Sequence, residues 1–548
     1  MDLTRRSFLI LVGAGTAAGA TSGIFGASPS EAASPAGDVV GKITVGYQGW
    51  FACIGDGAPI NGWWHWSQNW GQPPSPSNNA IKAWPDMREY TTGYQTAYAN
   101  LNGGAAATLF SSYDQQSVNT HFLWMQQNGC DTAALQRFNP NSSEGPTRDA
   151  MAAKVRSAAE ANGRKFYIMY DVSGWTNMQP EIKTDWTSKM SAHTASSAYA
   201  RQNGQPVVCI WGFGFSDSNH PWDAATCLDV VNWFKAQGCY VIGGVPREWR
   251  TGTGGSRAGY LGVYHAFNML SPWMVGAIGT AADSDSVFQS FNVPDQADCN
   301  ANGIDYQPCV LPGDVSARQR AHGDFMWRQF YNMVRVGAQG IYISMFDEYG
   351  EGNQIAKTAE TQAGVPAGSG LLALDEDGTA CSSDYYLRLT SDGGRMLKGQ
   401  IALTPTRPTQ PVISSSTTAV VSLRSRANTM YVTADNVGAS PLIANRTAIG
   451  AWEQFDLLNV SSGTIALRAH ANTMYVTADN AGASPLIANR TAIGTWETFQ
   501  LIRNSNGTVS LLALANTMYV TAENAGASPL IANRTAIGTW EQFDLITG

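Results

Sequence analysis

The chain has 548 residues, of which 44% are hydrophobic and only 14% are charged, and its formal net charge is −8. This length allows several domains with large apolar cores. The sparse and net acidic charge excludes nucleic acids and anionic membrane surfaces as natural partners.

The first 36 residues have the pattern of a twin-arginine export signal. Arg5-Arg6 precedes an apolar segment at residues 10–20, and a region of small residues follows through Ala33. The apolar segment is shorter than the roughly 20 residues that a membrane-spanning helix needs. We predict that residues 1–36 are a signal peptide and that the mature protein is secreted and monomeric.

Residues 37–400 alternate between apolar runs and amphipathic helical stretches, as βα units do. We predict strands at residues 41–47, 132–135, 166–171, 207–213, 240–245 and 340–347. We predict helices at residues 147–162, 224–237 and 318–336. Six or more such units, with no Gly-x-Gly-x-x-Gly after the first strand, favour a (β/α)8 barrel with insertions over a doubly wound sheet.

A (β/α)8 barrel carries its chemistry at the C-terminal ends of its strands. Aromatic, amide and acidic side chains follow three of the predicted strands: Tyr47, Gln48, Trp50, Asp171 and Trp211. Such side chains stack against sugar rings and bind their hydroxyl groups. We predict that these five residues bind substrate in a sugar cleft.

Three acids follow the last predicted strand: Asp347, Glu348 and Glu351. Cleavage of a glycosidic bond needs two carboxyl groups about 5 to 10 Å apart. Gly350 and Gly352 give the segment the backbone freedom to bring two side chains together. We predict that Glu348 and Glu351 are the catalytic pair and that Asp347 binds substrate.

Seven motifs are spread over residues 39–397: Gly46-Tyr47-Gln48-Gly49-Trp50, Trp84-Pro85-Asp86, His121-Phe122-Leu123-Trp124-Met125, Gln136-Arg137-Phe138, Tyr170-Asp171, Met345-Phe346-Asp347-Glu348 and Glu351-Gly352. Through these motifs the segment resembles glycoside hydrolase families 71 and 99, most closely the bacterial family 99-like proteins often labelled xylosidase/arabinosidase. The resemblance implies that Glu348 deprotonates a sugar 2-hydroxyl to form a 1,2-anhydro intermediate and that Glu351 is the acid/base. Tyr349-Gly350 stands where family 99 endo-α-mannosidases have Trp-His, and a family 71-like inverting arrangement would instead pair Asp171 with Glu348.

Cysteines and histidines give no pattern of a metal or cofactor site. All eight cysteines lie between Cys53 and Cys381 without a Cys-x-x-Cys pair, and there is no His-Glu-x-x-His. We therefore predict no metal and no cofactor. Cys299 and Cys309 are the best candidates for a disulfide, whereas three others lie in apolar runs and are predicted to be buried: Cys130, Cys209 and Cys239.

Residues 401–418 are rich in Pro, Thr and Ser and are predicted to be a linker to a second module. Residues 419–548 contain the sequence Ala-Asn-Thr-Met-Tyr-Val three times, at intervals of 44 residues. Each copy has strand-like alternation and no helical period, and three uncapped copies predict a closed threefold barrel, a β-trefoil.

Each repeat ends in Trp-Glu-x-Phe. In a regular strand, side chains alternate between the two faces, so Trp and Phe, three residues apart, would lie on opposite faces. We predict Phe455, Phe499 and Phe543 in the core. The trefoil resembles the fascin-like β-trefoils and carbohydrate-binding module family 92, which implies three β-glucan sites. The residues predicted for these sites are Trp452, Glu453, Trp496, Glu497, Trp540 and Glu541.

Together these features predict a secreted endo-acting glycoside hydrolase whose polysaccharide substrate is α-mannan or α-glucan of microbial or fungal cell walls. A non-catalytic lectin or adhesin is the alternative. A fascin-like cross-linker of protein filaments is a third interpretation. A secreted acidic protein is not expected to have this function.

Overall fold

The computed structural model describes residues 34–412, 419–461, 464–491, 493–504 and 506–547. Nearly all of the predicted export signal and residues 413–418 of the predicted linker lie outside these ranges. The chain divides into two compact units, with the boundary between Pro411 and Val412. In the ranges given, no helix is both long and apolar enough to cross a bilayer.

The first unit alternates strands with helices. Its strands are β1 (Ile43–Tyr47), β2 (Tyr94–Gln95), β3 (Thr108–Leu109), β4 (Thr132–Arg137), β5 (Lys165–Asp171), β6 (Arg201–Gln202), β7 (Gln205–Trp211), β8 (Tyr240–Val245), β9 (Met269–Pro272), β10 (Asp305–Tyr306), β11 (Cys309–Val310) and β12 (Ile341–Ile343). Its α-helices are α1 (Gln115–Gln127), α2 (Gly145–Asn162), α3 (Met178–Ser188), α4 (Ala224–Ala236), α5 (Leu261–Tyr264), α6 (Ala281–Val287), α7 (Val293–Ala301), α8 (Asp324–Val336) and α9 (Tyr385–Leu397).

Parallel pairing joins the central strands into a closed barrel. The order is β1, β4, β5, β7, β8 and β9, after which β10 pairs with β9, β11 pairs with β12, and β12 returns to β1. Only Gln307 and Pro308 separate β10 from β11, so these two segments are one barrel strand with an interruption. Pro308 has no N–H to donate, but its carbonyl accepts a hydrogen bond from the Tyr342 N–H at 3.1 Å. Eight strand positions thus confirm the predicted (β/α)8 barrel.

Two predicted elements differ from those observed by four or more residues at one end. The last strand, β12, ends at Ile343 and not at 347, and α8 begins at Asp324 and not at 318. The helix starts late because Ala321, His322 and Gly323 have φ values of 43°, 39° and 93°, which no right-handed helix contains.

Residues 401–411, predicted as linker, pack on the first unit. The Trp327 indole N–H donates to the Thr404 carbonyl at 3.0 Å, and the Ser382 N–H donates to the Pro411 carbonyl at 2.9 Å. These contacts to α8 and to the segment before α9 hold the proline-rich residues in place. A linker can therefore begin only after Pro411.

All eight cysteines are buried free thiols. The predicted disulfide between Cys299 and Cys309 is wrong, because Cys299 lies in α7 and Cys309 lies in the barrel strand β11. Burial raises the pKa of both thiols. Cys130, Cys209 and Cys239 are buried, as predicted.

In the described residues of the second unit, the regular elements are strands and two short 3-10 turns. The strands are β13 (Ala419–Ser425), β14 (Tyr431–Thr433), β15 (Ile443–Arg446), β16 (Phe455–Ser461), β17 (Thr464–Ala469), β18 (Tyr475–Thr477), β19 (Ile487–Arg490), β20 (Phe499–Arg503), β21 (Val509–Ala513), β22 (Met518–Ala522), β23 (Leu530–Arg534) and β24 (Phe543–Thr547).

Each repeat contributes four strands, and the last strand pairs with the first, β24 with β13. Three leucines mark the threefold axis: Leu442 donates its backbone N–H to Leu486, Leu486 to Leu530 and Leu530 to Leu442, each at 2.8 Å. Phe455, Phe499 and Phe543 are fully buried around this axis. The β-trefoil and its predicted core phenylalanines are confirmed.

Candidate active site and glycan-binding sites

The segment after β12 joins the loop after β1 through Asp347. Its two carboxylate oxygens accept hydrogen bonds from the backbone N–H groups of Gln48 at 2.7 Å and Gly49 at 2.8 Å. Burial raises the pKa of the Asp347 carboxyl to about 6, while those two donors and the Arg148 charge oppose the rise. Asp347 is fully buried. Because both oxygens accept backbone hydrogen bonds and the side chain is buried, Asp347 positions the two loops, and the substrate-binding role predicted for it does not fit its contacts.

Glu348 follows directly and is anchored at one oxygen. The Gln48 side-chain amide donates to Glu348 Oε2 at 2.7 Å, and Glu348 is only 3% exposed. Gln48 is itself held because Arg148 Nη1 donates to its carbonyl oxygen at 2.6 Å. A methyl group on Gly350 would lie 3.1 Å from Glu348 Oε1, so glycine leaves room for this carboxylate.

Glu351 lies three residues further along the same segment and is half-buried. Within the described part of the chain, no hydrogen bond or ion pair is formed by its carboxylate. Arg320 holds the backbone after it by donating to the Gly352 carbonyl at 2.8 Å. The segment after β12 thus carries Glu348, whose carboxylate is held by Gln48, and three residues later Glu351, whose carboxylate has no such anchor among the described residues.

Asp171 ends β5 and is fully buried. Its Oδ1 accepts hydrogen bonds from the Ser173 N–H at 3.0 Å and the Ser173 hydroxyl at 2.6 Å. Its Oδ2 accepts a longer one, 3.4 Å, from the amide of Gln136 on β4. Asp171 therefore ties the ends of two adjacent strands.

The predicted aromatic subsite residues are largely enclosed. Tyr47 is fully buried, and its hydroxyl lies 2.9 Å from Nδ1 of His121. Burial lowers the pKa of His121 to about 3, so this histidine is neutral. Tyr47 is thus packed inside the barrel at the end of β1, and the substrate-binding role predicted for it does not fit this buried position.

Trp50 is partly buried, and its ring stacks on His65 at 3.6 Å and on Phe138 at 5.7 Å between centroids. Trp211 ends β7 and packs against Phe215 and Trp273, with centroid distances of 4.8 and 5.3 Å. Protein side chains thus cover part of both indoles, which limits the ring surface left for a ligand.

Sequence reasoning missed two charged residues at this end of the barrel: Arg148 in α2 and Glu144, which directly precedes this helix. Arg148 is buried and donates to the carbonyl oxygens of Gln48, Gly49 and Gln136. Burial raises the pKa of Glu144, which lies one turn before Arg148, and the arginine opposes that rise. Neither residue follows a strand directly, so the strand-end pattern gave no signal for them.

The Trp-Glu pairs of the trefoil do not lie in regular strands. In the second and third repeats they form 3-10 turns, Thr495–Glu497 and Thr539–Glu541, and the strand begins only at the following Phe. The alternation predicted from the period of two therefore does not apply. The turn exposes the indole and turns the glutamate inward: Trp496 and Trp540 are each 37% exposed.

Each of these glutamates binds its own turn. Glu453, Glu497 and Glu541 accept hydrogen bonds at Oε2 from the backbone N–H groups of the glycines three residues earlier, at 2.8, 2.8 and 2.7 Å. All three are buried. Their Oε2 atoms thus fix the turn, which limits the predicted sugar-binding role to the other oxygen.

A pocket of about 440 Å³ lies at the third repeat and is lined by Arg534, Ala536, Ile537, Gly538, Thr539, Trp540 and Glu541. Arg534 is also paired with Glu523, at 2.9 Å. The pocket therefore combines an indole face with a guanidinium and a carboxylate, groups that suit a sugar ring and its hydroxyls. In the ranges that the structure covers, no group of three or more metal-binding side chains is present.

Residues 417–513 match a family model described as a domain of unknown function, DUF7910. Comparison with curated proteins gives no match. Among solved structures, the GH99 endo-alpha-mannosidase from Bacteroides thetaiotaomicron is similar over 66% of this chain and 98% of its own, with 14% identity and a TM-score of 0.48.

Two trefoils are similar to the chain over 23% of its length. ThreeFoil, a designed 3-fold symmetric protein, has 20% identity, 97% coverage of its own chain and a TM-score of 0.22. The Polyporus squamosus lectin bound to a human-type influenza-binding epitope has 13% identity, 48% coverage and a TM-score of 0.22. The chain thus has the predicted likeness to a family 99 enzyme followed by a trefoil, while the fold assignment rests on the strand pairing described above.

Proposed function

We propose that the chain is a secreted glycoside hydrolase that cleaves α-mannan or α-glucan of microbial or fungal cell walls within the polymer. The trefoil, in this proposal, binds glucan at three sites and keeps the barrel near an insoluble substrate, which raises the effective substrate concentration.

The observation that carries this proposal is the pair of unlike glutamates at the C-terminal end of the barrel. Glu348 is 3% exposed and fixed by the amide of Gln48 at 2.7 Å. A carboxylate held in a fixed position suits the deprotonation of a sugar hydroxyl. Glu351, half-buried in the same segment, suits a group that gives a proton to the leaving oxygen and takes one back from water.

The trefoil supports the binding half of the proposal. The exposed indoles of Trp496 and Trp540 present flat apolar faces, and sugar C–H faces stack on such rings. The same observation favours the second candidate, a lectin in which the barrel does not turn over substrate. Measurement of products and of binding separates the two.

The test is product release, followed by mass spectrometry, from yeast mannan, α-1,3-glucan, β-1,3-glucan and β-1,6-glucan. Wild type is compared with Glu348→Gln and with a control variant, Glu160→Gln. The control changes an exposed glutamate near the C-terminal end of α2. Oligosaccharides from one polymer that vanish only in Glu348→Gln would support the hydrolase. Retention on a polymer without products would favour the lectin.

A further inference from the structure

Four polar side chains form a continuous hydrogen-bonded chain beside the candidate site. Both oxygens of Asp217 lie 2.8 Å from Nδ1 of His220. His220 Nε2 lies 2.9 Å from the hydroxyl oxygen of Ser173, which lies 2.6 Å from Oδ1 of Asp171. The chain therefore runs from Asp217 to the buried carboxylate at the end of β5.

Close backbone packing holds this chain in place. The Gly174 N–H donates to the Asn219 carbonyl at 2.9 Å, which joins the loops after β5 and β7. Gly212 has a φ of 119°, and a Cβ there would lie 2.8 Å from Cδ2 of His220. The missing side chain at Gly212 lets the imidazole approach the strand end.

The donors and acceptors along the chain fix where its protons lie. The Ser173 hydroxyl has one proton, and the carboxylate of Asp171 is both the nearer and the stronger acceptor. His220 Nε2 must then donate to the Ser173 oxygen. Nδ1 faces only the Asp217 carboxylate, which accepts, so both ring nitrogens carry protons and His220 is an imidazolium.

We propose that Ser173, His220 and Asp217 are positioning residues that keep the Asp171 carboxylate fixed. Asp171 in turn orients the Gln136 amide, because a carboxylate can only accept from its nitrogen. The proposal deepens the proposed function: Asp171 is a positioning residue in the wall of the sugar site and is not the catalytic partner of Glu348.

The same proton positions exclude Ser173 as an acyl-transfer nucleophile. A serine nucleophile needs a histidine nitrogen that accepts its proton. Here His220 Nε2 donates to the serine, and the serine proton lies on the side of Asp171. Arg257 donates from Nη2 to the Asp217 carbonyl at 3.1 Å, while the Asp217 carboxylate contacts His220 and accepts a hydrogen bond from the Asn219 N–H at 2.8 Å.

The first test is ring ¹⁵N NMR of the full chain labelled at its seven histidines. The His220 signals are assigned by their loss in His220→Gln. We expect both His220 nitrogens to be protonated at neutral pH in wild type and Ser173→Thr, and only one to be protonated in Asp217→Asn. A singly protonated His220 in wild type would overturn the proposal, whatever the enzyme's activity.

Two further readouts complete the test. Treatment with a fluorophosphonate should leave Ser173 unlabelled, and labelling there would show that Nε2 accepts and would overturn the assignment. On the polysaccharide that responds, Ser173→Ala should raise KM about tenfold with a smaller change in kcat, and Ser173→Thr should restore KM. A fall in kcat of several orders of magnitude, with KM unchanged, would make this chain part of the chemistry instead.

Discussion

Replacement of Asp347 by alanine should loosen the junction between the first and last barrel strands. The change removes both acceptors of the Gln48 and Gly49 N–H groups, which lie at 2.7 and 2.8 Å from the carboxylate. Asp347 is fully buried, so water does not replace it.

A buried donor without a partner costs about 1 to 3 kcal/mol. Two such donors predict a loss of about 2 to 6 kcal/mol in the free energy of unfolding of the first unit. Asp347→Asn keeps one acceptor oxygen and should lose about half as much. Asp229→Ala, which breaks an exposed pair with Lys183, is the control and should cost less than about 1 kcal/mol.

The pH dependence adds a second signature. Because burial raises the pKa of Asp347 to about 6, the folded state binds this proton more tightly than the unfolded state does. The stabilisation from this group is therefore full at pH values below its ordinary pKa and is lost as the pH rises through about 6. A shift of about two units corresponds to about 3 kcal/mol, so the advantage of wild type over Asp347→Asn should be largest near pH 4.

The assay is urea unfolding of the full chain followed by hydrogen exchange and mass spectrometry. Peptides that contain Gln48 and Gly49 report the first unit, and peptides from the trefoil serve as an internal reference. Faster exchange at these two amides in Asp347→Ala, with the trefoil unchanged, is the expected result. Unchanged exchange and stability would show that the Asp347 contacts do not hold the junction.

Three further predictions concern the His220 chain and the trefoil. Gly212→Ala should destabilise the first unit by about 1 to 3 kcal/mol in thermal unfolding, because it strains the backbone and meets the His220 ring; an unchanged transition would contradict the close approach. Trp540→Ala should weaken retention on insoluble glucan in pull-down assays by one site's share, and full retention would place binding elsewhere. Glu541→Ala should speed proteolysis at the Gly538 turn, whereas Glu541→Gln keeps an acceptor oxygen and should not; loss of glucan binding in both variants with an intact turn would assign the glutamate to the sugar instead.

Much of the fold follows from local sequence pattern. Buried parallel strands read as apolar runs, so β1, β5 and β8 were predicted close to their observed bounds. Two barrel strands were not predicted: β9, which has only four residues, and the seventh strand, which is divided into two pieces of two residues each. Segments this short are too short to show the hydrophobic periodicity from which strands are predicted.

The acids of the candidate site were predictable, but their division of labour was not. Strand-end placement identified Asp171, Asp347 and Glu348, whereas only tertiary contacts show that Asp347 binds two backbone N–H groups. Arg148 escaped prediction because a buried helix arginine looks like a surface residue until its carbonyl partners are known. The Trp-Glu turns could not be predicted either, because the residues of a 3-10 turn directly before a strand are not distinguished by their pattern from residues of the strand itself.

The most direct measurement is hydrolysis by Glu348→Gln and Glu351→Gln of two substrates of the responding sugar, the polysaccharide and an aryl glycoside with a good leaving group. General acid–base groups contribute about 10²- to 10⁴-fold to the rate, so both variants should lose at least that factor in rate on the polysaccharide. Only Glu351→Gln should recover activity on the aryl glycoside, because its leaving group departs without being protonated. Activity of both variants equal to that of wild type and Glu160→Gln would contradict the assignment of these two carboxyl groups.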